Sequence, residues 1–231
     1  MMDWKNIILI LVAGLNLGSS LMVYFKNPKS RINIYYASFV FWVSVWIFGV
    51  ALFRSIETET GVHLLIYAYY GAAALIPIFF YLFSFYFPYS KRLPTTKIKI
   101  LVWVGTIAIL IDSLPIFLVK DVVLNPPNNI VILNLASYLI YSVIFLTFTI
   151  FAFKNLAEKL KESKDFAKTQ LRCIVYGSGI AYFFGILFNL IYPFFGDYTM
   201  IWLGPYFTVV MIIFLDYLLF FYNVTARMSH R

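Results

Sequence analysis

The sequence predicts an all-α fold: a bundle of seven transmembrane helices with its N-terminus outside the cell and its C-terminus in the cytoplasm. Three observations lead to this fold class. Hydrophobic residues make up 62% of the 231 residues and charged residues only 12%, against about 25% charged in soluble domains. The apolar residues fall into seven long runs, and the basic residues lie in short clusters that favour alternate sides of these runs.

Each apolar run has the length that a membrane span requires, because a hydrocarbon core of about 30 Å needs about 20 mostly apolar residues in a helix. The third run is long enough to tilt, and Pro77 in its middle predicts a kink. The predicted spans cover residues 7–25, 34–53, 62–87, 98–119, 130–153, 173–195 and 200–222.

The lysines and arginines give the orientation, because cytoplasmic loops carry an excess of basic residues. With the N-terminus outside, the outer segments hold three basic residues, Lys5, Arg54 and Lys120. The other fifteen lie on the inner side, which predicts an odd number of spans. These are Lys26, Lys29, Arg31, Lys91, Arg92, Lys97, Lys99, Lys154, Lys159, Lys161, Lys164, Lys168, Arg172, Arg227 and Arg231.

The net charge of +8 is explained by this distribution, which is typical of loops held at an anionic cytoplasmic leaflet. We therefore expect a multi-pass protein of the plasma membrane that contacts the lipid bilayer and no nucleic acid. The longest inner connection, 154–172, pairs Lys161 with Asp165 and Asp165 with Lys168 at helical spacing. It predicts an extension of the fifth helix, or a short helix on the membrane surface.

Polar groups inside the spans are costly, so each is a functional hypothesis. Asp216 lies in the seventh span, where a proton relay and a structural hydrogen bond are both open interpretations. Asn189 precedes Pro193 by one turn in the sixth span, and we expect its amide to satisfy a backbone group that the proline frees. With Pro205, these residues form the candidate intramembrane switch. Asn134 is expected to lie inside the fifth span.

A second set of candidates lies at the predicted outer rim, where a ligand pocket that opens outward would be lined by polar groups. Solvated loop residues are the simpler interpretation of the same set. Trp4 and Trp202 are the expected interface anchors. The outer-rim candidates are Arg54, Glu57, Glu59, His63 and Asp112.

Small residues at helical spacing predict close helix packing, at Gly14 and Gly18 in the first span and at Gly177, Ala181 and Gly185 in the sixth. They indicate nothing about a substrate.

Catalytic and metal-binding motifs are not found in the sequence. The two histidines lie at a span edge and in the C-terminal tail, and Cys173 is the single cysteine. Metalloprotease, Ser–His protease, phosphate-loop and kinase signatures are all missing. We expect no enzyme activity, no cofactor and no metal site.

Two stretches resemble the N-terminal seven-transmembrane sensor region of prokaryotic histidine kinases. One is the third span, IYAYYGAAALIPIFFYLFSFYFP, with aromatic residues before Pro77 and a Phe-rich end. The other covers the last two spans, from its Gln170-Leu171-Arg172 entry to Tyr217. Its matching residues are Gly177, Asn189, Pro193 and Gly204-Pro205.

The resemblance implies a sensory receptor that passes a stimulus through its seventh helix to a cytoplasmic kinase in a two-component system. The sequence ends at Arg231 without a kinase module, so we expect either a truncated sensor or a receptor that acts through a separate cytoplasmic or membrane partner. A homodimer is left open. The alternatives are a small transporter or proton-coupled carrier, and a non-catalytic membrane subunit.

Overall fold

The structure is a computed structural model, and it describes residues 3–90 and 93–216. This part of the chain is helical apart from one small β-hairpin, which confirms the all-α fold class. The helices are α1 (Trp4–Lys26), α2 (Arg31–Ser55), α3 (Glu59–Tyr86), α4 (Thr96–Asp112), α5 (Pro115–Leu118), α6 (Leu135–Glu162), α7 (Asp165–Ile186), α8 (Tyr192–Phe194) and α9 (Phe207–Asp216). The strands are β1 (Val119–Val123) and β2 (Ile130–Leu133).

Five helical stretches of the described residues are long and apolar enough to cross a membrane. They are α1, α2, α3, α6 and the stretch Asp165–Phe194. The 17 residues of α4 extend about 26 Å, slightly less than the hydrocarbon core of about 30 Å. This set of helices is compatible with a membrane-embedded protein.

The first three helices pack closely because small side chains lie where they meet. A Cβ atom at Gly49 of α2 would lie 2.6 Å from the Cβ atom of Tyr69 in α3, so only glycine fits there. The hydroxyl of Ser44 donates to the carbonyl of Ala13 at 2.7 Å, which joins α2 to α1. The approach of these backbones buries the aromatic residues between the helices.

The predicted end of the fourth span and the predicted start of the fifth span are both wrong. The fourth span was expected to reach residue 119, but α4 ends at Asp112 and a single turn begins at Pro115. Proline forces the residue before it away from helical geometry, and Leu114 is extended. The apolar residues on both sides form the antiparallel pair β1–β2 instead, because β-branched residues suit a strand.

The fifth span was expected to begin at residue 130, but α6 begins at Leu135. Asn134 therefore lies outside the helix and not within a span as predicted. Its side-chain oxygen accepts a hydrogen bond from the backbone N–H of Ala136 at 3.3 Å, which is the usual role of an N-cap residue.

The connection 154–172, which was predicted to lie on the inner side, extends two helices. The extension of the fifth helix is confirmed, since α6 continues to Glu162. The rest of the connection belongs to α7, which begins at Asp165, a residue with a positive φ of 47°. In the third span, α3 continues through Pro77 to Tyr86.

The sixth apolar run is one helical stretch with an irregular centre. A π-helical segment, Leu187–Ile191, joins α7 to α8 and lies directly before Pro193. Proline lacks a backbone N–H and crowds the preceding turn, and a π-bulge is a common way to absorb such a defect. A 3₁₀ turn, Gly204–Tyr206, precedes α9. Residues 217–222 of the predicted seventh span lie outside the described residues.

The predicted glycine packing is confirmed at Gly177 of the sixth span and wrong in the first span. A Cβ atom at Gly177 of α7 would lie 3.4 Å from Phe214 of α9, so the two helices are close at this point. In α1, Gly14 and Gly18 are exposed, and a Cβ atom on either would contact nothing within 4 Å among the described residues.

Two side chains complete the C-terminal ends of helices, where carbonyls are left without helical partners. The buried ammonium of Lys159 donates to the carbonyls of Phe85, Phe87 and Tyr89 at 2.8, 2.8 and 2.9 Å, directly after α3. At the opposite end of the bundle, Asn129 of the hairpin loop is equally buried. Its amide donates to the carbonyls of Phe53 and Ile56, at the end of α2.

We expect Lys159→Met to lower the free energy of unfolding by about 1–3 kcal/mol, because it leaves buried carbonyls without a donor. Lys161→Met is the matched control, since Lys161 is exposed on the same helix, and it should change stability by less than about 0.5 kcal/mol. Thermal unfolding in detergent micelles measures both. Equal stability of the two variants would contradict the capping role.

Candidate functional site

A cavity of about 70 Å³ lies within the bundle. It is bounded by α2, α3, α6, α7, the π-helical segment, α8 with the loop after it, and α9. Its walls are mainly apolar and include eight aromatic residues, and none of the residues that line it carries a charge. The aromatic residues of the lining are Phe39, Trp46, Tyr69, Tyr70, Tyr141, Phe145, Tyr182 and Tyr198.

Tyr70 of α3 is the centre of a tyrosine cluster at this cavity. Its ring centroid lies 4.4 Å from that of Tyr69, 5.6 Å from that of Tyr141 and 6.2 Å from that of Tyr138. The hydroxyl of Tyr141 donates to the carbonyl of Tyr70 at 3.0 Å, so it binds α6 to α3. The hydroxyl of Tyr138 donates to the carbonyl of Leu190 at 2.8 Å, so it binds α6 to the π-helical segment.

Three polar atoms of the lining residues have no hydrogen-bond partner in the described part of the protein. They are Nδ2 of Asn189 and the hydroxyl oxygens of Tyr182 and Tyr198. Buried polar atoms are nearly always paired in folded proteins. The cavity therefore has an apolar wall, and three of the residues that form it carry unpaired polar atoms that are buried in the protein.

The expected role of Asn189 as a backbone partner near Pro193 is wrong, because its Nδ2 donates to no group. The π-helical segment absorbs the proline defect instead, and Tyr138 supplies a donor to Leu190. Asn189 packs against Gly204, where an added Cβ atom would lie 2.1 Å from Nδ2. The loop before α9 thus rests on the irregular part of the sixth run.

The structure gathers most of the predicted switch residues at the cavity. Asn189 and Pro193 line it, and the carbonyl of Pro205 accepts from the hydroxyl of Thr208, another lining residue, at 2.7 Å. Thr208 also accepts from Nδ2 of Asn16 in α1 at 3.2 Å. Asp216 is the last described residue of α9, and its side chain lies outside the described part of the structure.

The outer-rim candidates do not line this cavity. Arg54 is 1% exposed and forms an ion pair with Asp3, while its Nε donates to Oδ1 of Asn6 at 2.8 Å. It therefore joins the start of α1 to the end of α2 and presents no charge to an open rim. Of the others, Glu57 is exposed and His63 is half-buried.

Asp112 is half-buried at the end of α4, where one carboxylate oxygen accepts from the hydroxyl of Ser137 in α6. The side chain of Glu59, the remaining rim candidate, lies outside the described part of the structure. Among the side chains that are described, no group of three or more His, Cys, Asp or Glu is placed to hold a metal ion.

The two predicted interface anchors lie next to each other. The ring centroids of Trp4 and Trp202 are 6.1 Å apart, and Nζ of Lys5 lies 4.5 Å from the centroid of Trp202. In the same loop, the hydroxyl and the backbone N–H of Thr199 donate to the carboxylate of Asp197. These hydrogen bonds hold the pKa of that carboxyl below its usual value.

A second hollow of about 250 Å³ lies between α3, α4 and α6 at the opposite end of the bundle. Its lining includes Lys159, whose ammonium already binds three carbonyls, and Asn155, whose amide donates to the hydroxyl of Ser84 at 3.1 Å. Because these central groups are paired with the protein, the aromatic cavity is the better candidate site.

Sequence reasoning missed the tyrosines of the cavity. Tyr138 and Tyr141 are three residues apart, so they share a helix face, and Tyr69 and Tyr70 begin the third span's Gly-Ala stretch. These spacings are the features of the sequence that could have indicated the tyrosine cluster. Comparison of the chain with protein-family models, with curated proteins and with solved structures gives no match.

Proposed function

We propose that the chain is the sensory part of a membrane receptor, which binds a small molecule in the aromatic cavity and has no catalytic activity of its own. A ligand that binds one packing arrangement of the helices more tightly than another increases the population of the arrangement that it binds. The seventh span then carries the movement to a cytoplasmic or membrane partner. The observation that carries this proposal is an apolar cavity inside the bundle whose wall includes the irregular π-helical segment and α9.

The irregular backbone segments around the cavity support the proposal that part of the cavity wall moves. The π-helical segment precedes Pro193, and the 3₁₀ turn at Gly204 precedes α9. Pro193 and Gly204 are among the residues by which the chain resembles the sensor region of histidine kinases. Asn189 joins the two segments, because its side chain contacts Gly204. A change in this contact would alter the position of α9 against α7.

The proposal includes seven spans in the plasma membrane, with the N-terminus outside. The described bundle supplies five long apolar stretches, the shorter α4, and the first ten residues of α9. In this orientation the cavity extends from the middle of the bundle into its outer half, because its lining residues come from the middle of α2 and α3, the first half of α6 and the second half of the stretch Asp165–Phe194.

A transporter is the second candidate, and one observation favours it. One interrupted helix, with the π-helical segment before Pro193, lines the cavity, and transporters bind substrates at discontinuous helices. Solute flux in liposomes separates the two functions, since a receptor alone moves no solute. A non-catalytic membrane subunit is the remaining alternative.

Filling the cavity should imitate a bound ligand and alter the contact between α7 and α9. Cys173, the single cysteine, is half-buried one turn before Gly177, so it reports on this contact. We expect Ala73→Leu, which fills the cavity from α3, to change the rate at which Cys173 reacts with a maleimide by about threefold or more. The control is Ala68→Leu, since Ala68 is exposed on the same helix. Equal rates in both variants would count against the coupling.

The orientation is testable with a membrane-impermeant maleimide in intact cells. In a Cys173→Ser background, we expect Lys120→Cys to be labelled from outside, because the β1–β2 hairpin lies on the outer side. Lys161→Cys should react only after the cells are permeabilised. The reverse pattern would invert the topology and place the cavity in the inner half.

A further inference from the structure

The β1–β2 hairpin differs from a strand pair that has one face in water. In such a pair, apolar side chains on the protein face alternate with polar side chains on the solvated face. The paired residues Val122 and Val131 share one face, on which Val131 is buried and Val122 is half-buried. The opposite face carries Val123 and Ile132, which are 46% and 41% exposed. The face that the described part of the protein leaves uncovered is therefore also mainly apolar.

The exposed apolar surface continues onto the turn before the hairpin. In α5, Ile116 is 80% exposed, and Phe117 beside it is exposed as well. Together with Val123 and Ile132, these residues form what we call the hairpin patch. Exposed apolar surface of this kind marks contacts with a membrane or with another protein.

Two hydrogen-bonded contacts place the hairpin along the bundle. Near its tip, Asn129 donates to the carbonyls at the end of α2. At its base, the backbone N–H of Asn134 donates to the carbonyl of Leu118 at 2.8 Å, so the base lies beside the start of α6. The hairpin is thus at the end of the bundle that the proposed orientation places outside.

The length of α4 relates this position to the hydrocarbon core. The helix extends about 26 Å, and the core is about 30 Å thick. A helix of this length that starts at the inner boundary of the core ends close to the outer boundary. The turn of α5 follows α4 directly, so Ile116 and Phe117 are at the level where the hydrocarbon gives way to the headgroups.

Polar groups of the hairpin exclude a deeper position. A two-stranded pair has an outer edge on each strand, where backbone N–H and C=O groups have no ladder partner. Open sheet edges of this kind do not occur in the hydrocarbon region, because each unsatisfied group is costly there. Lys120 and Asp121 of β1 are also exposed. The hydrated interfacial layer, about 5–8 Å thick on each side of the core, accepts both these polar groups and the hairpin patch.

Lipid is favoured over a second protein as the molecule that covers the patch. The exposed apolar surface is continuous along the chain with that of the neighbouring helices, at Ile107 and Ile111 of α4 and at Leu135 and Leu139 of α6. In a membrane-embedded bundle these helix residues face lipid. A lipid contact at the hairpin patch extends the same surface by one more layer.

We propose that the turn and hairpin, Pro115–Leu133, lie in the outer interfacial layer of the membrane, with Ile116, Phe117, Val123 and Ile132 against lipid and the loop at Asn128 in water. This inference uses the membrane embedding of the proposed function, and it requires neither a ligand nor a partner.

The test measures the surroundings of a spin label on single cysteines in a Cys173→Ser background, in liposomes of phosphatidylcholine and phosphatidylglycerol. Collisions with oxygen, which concentrates in lipid, are compared with collisions with a water-soluble nickel chelate. We expect the oxygen-to-nickel collision ratio at Phe117→Cys and Ile132→Cys to exceed that at Asn128→Cys by about threefold or more, because apolar side chains at an interface enter the acyl boundary. Asn128 is exposed in the hairpin loop, and Leu139→Cys on α6 is the lipid-facing reference.

A ratio at Phe117 and Ile132 equal to that at Asn128 would place the hairpin patch in water and overturn the inference. Few collisions with either reagent at both positions would show that protein covers the patch, which overturns it equally. The Leu139 reference separates these results from a failure of the embedding. If its ratio also equals that at Asn128, the membrane embedding is rejected together with this inference. The Ala73→Leu experiment decides the receptor proposal independently.

Discussion

The hydrogen bond from the hydroxyl of Tyr138 to the carbonyl of Leu190, at 2.8 Å, holds together the part of the bundle on which the proposed site depends. Pro193 prevents a regular helix at this point, and the π-helical segment absorbs the defect. Tyr138 is fully buried, so this carbonyl has a protein donor where water has no access. The irregular backbone is thereby fixed against α6, and it forms one wall of the cavity.

The ends and the centre of the bundle differ in how well their polar groups are satisfied. At one end Lys159 binds three carbonyls after α3, and at the other Asn129 completes α2. Arg54 is paired with Asp3 at the same end of the bundle as Asn129. Of the five buried side-chain atoms without a partner in the described residues, three belong to residues that line the cavity, namely Asn189, Tyr182 and Tyr198. Unpaired buried polar atoms cost stability, and natural proteins often accept such a cost at functional sites.

The sequence predicts the long helices well and the polar contacts poorly. The runs that became α1, α2 and α3 are found because apolar length alone identifies a span. The residues of the β1–β2 hairpin were assigned to spans, since its valines and isoleucines are as apolar as the residues of a transmembrane helix. Asn189 and Pro193 were selected as unusual residues within a span, but their tyrosine neighbours come from α3 and α6. Contacts between residues far apart in the chain depend on helix packing, and periodicity within one helix carries no information about it.

The central claim is that a change in the cavity reaches the contact between α7 and α9 through the π-helical segment, which Tyr138 holds against α6 and which Asn189 joins to Gly204. The most direct measurement is the maleimide reaction rate of Cys173 in a double-mutant cycle of Ala73→Leu and Tyr138→Phe. The account predicts that the rate ratio between the Ala73→Leu protein and its parent returns to about one when Tyr138→Phe is present, while Tyr67→Phe, on an exposed part of α3, leaves the ratio unchanged. An undiminished ratio in the Tyr138→Phe background would contradict it.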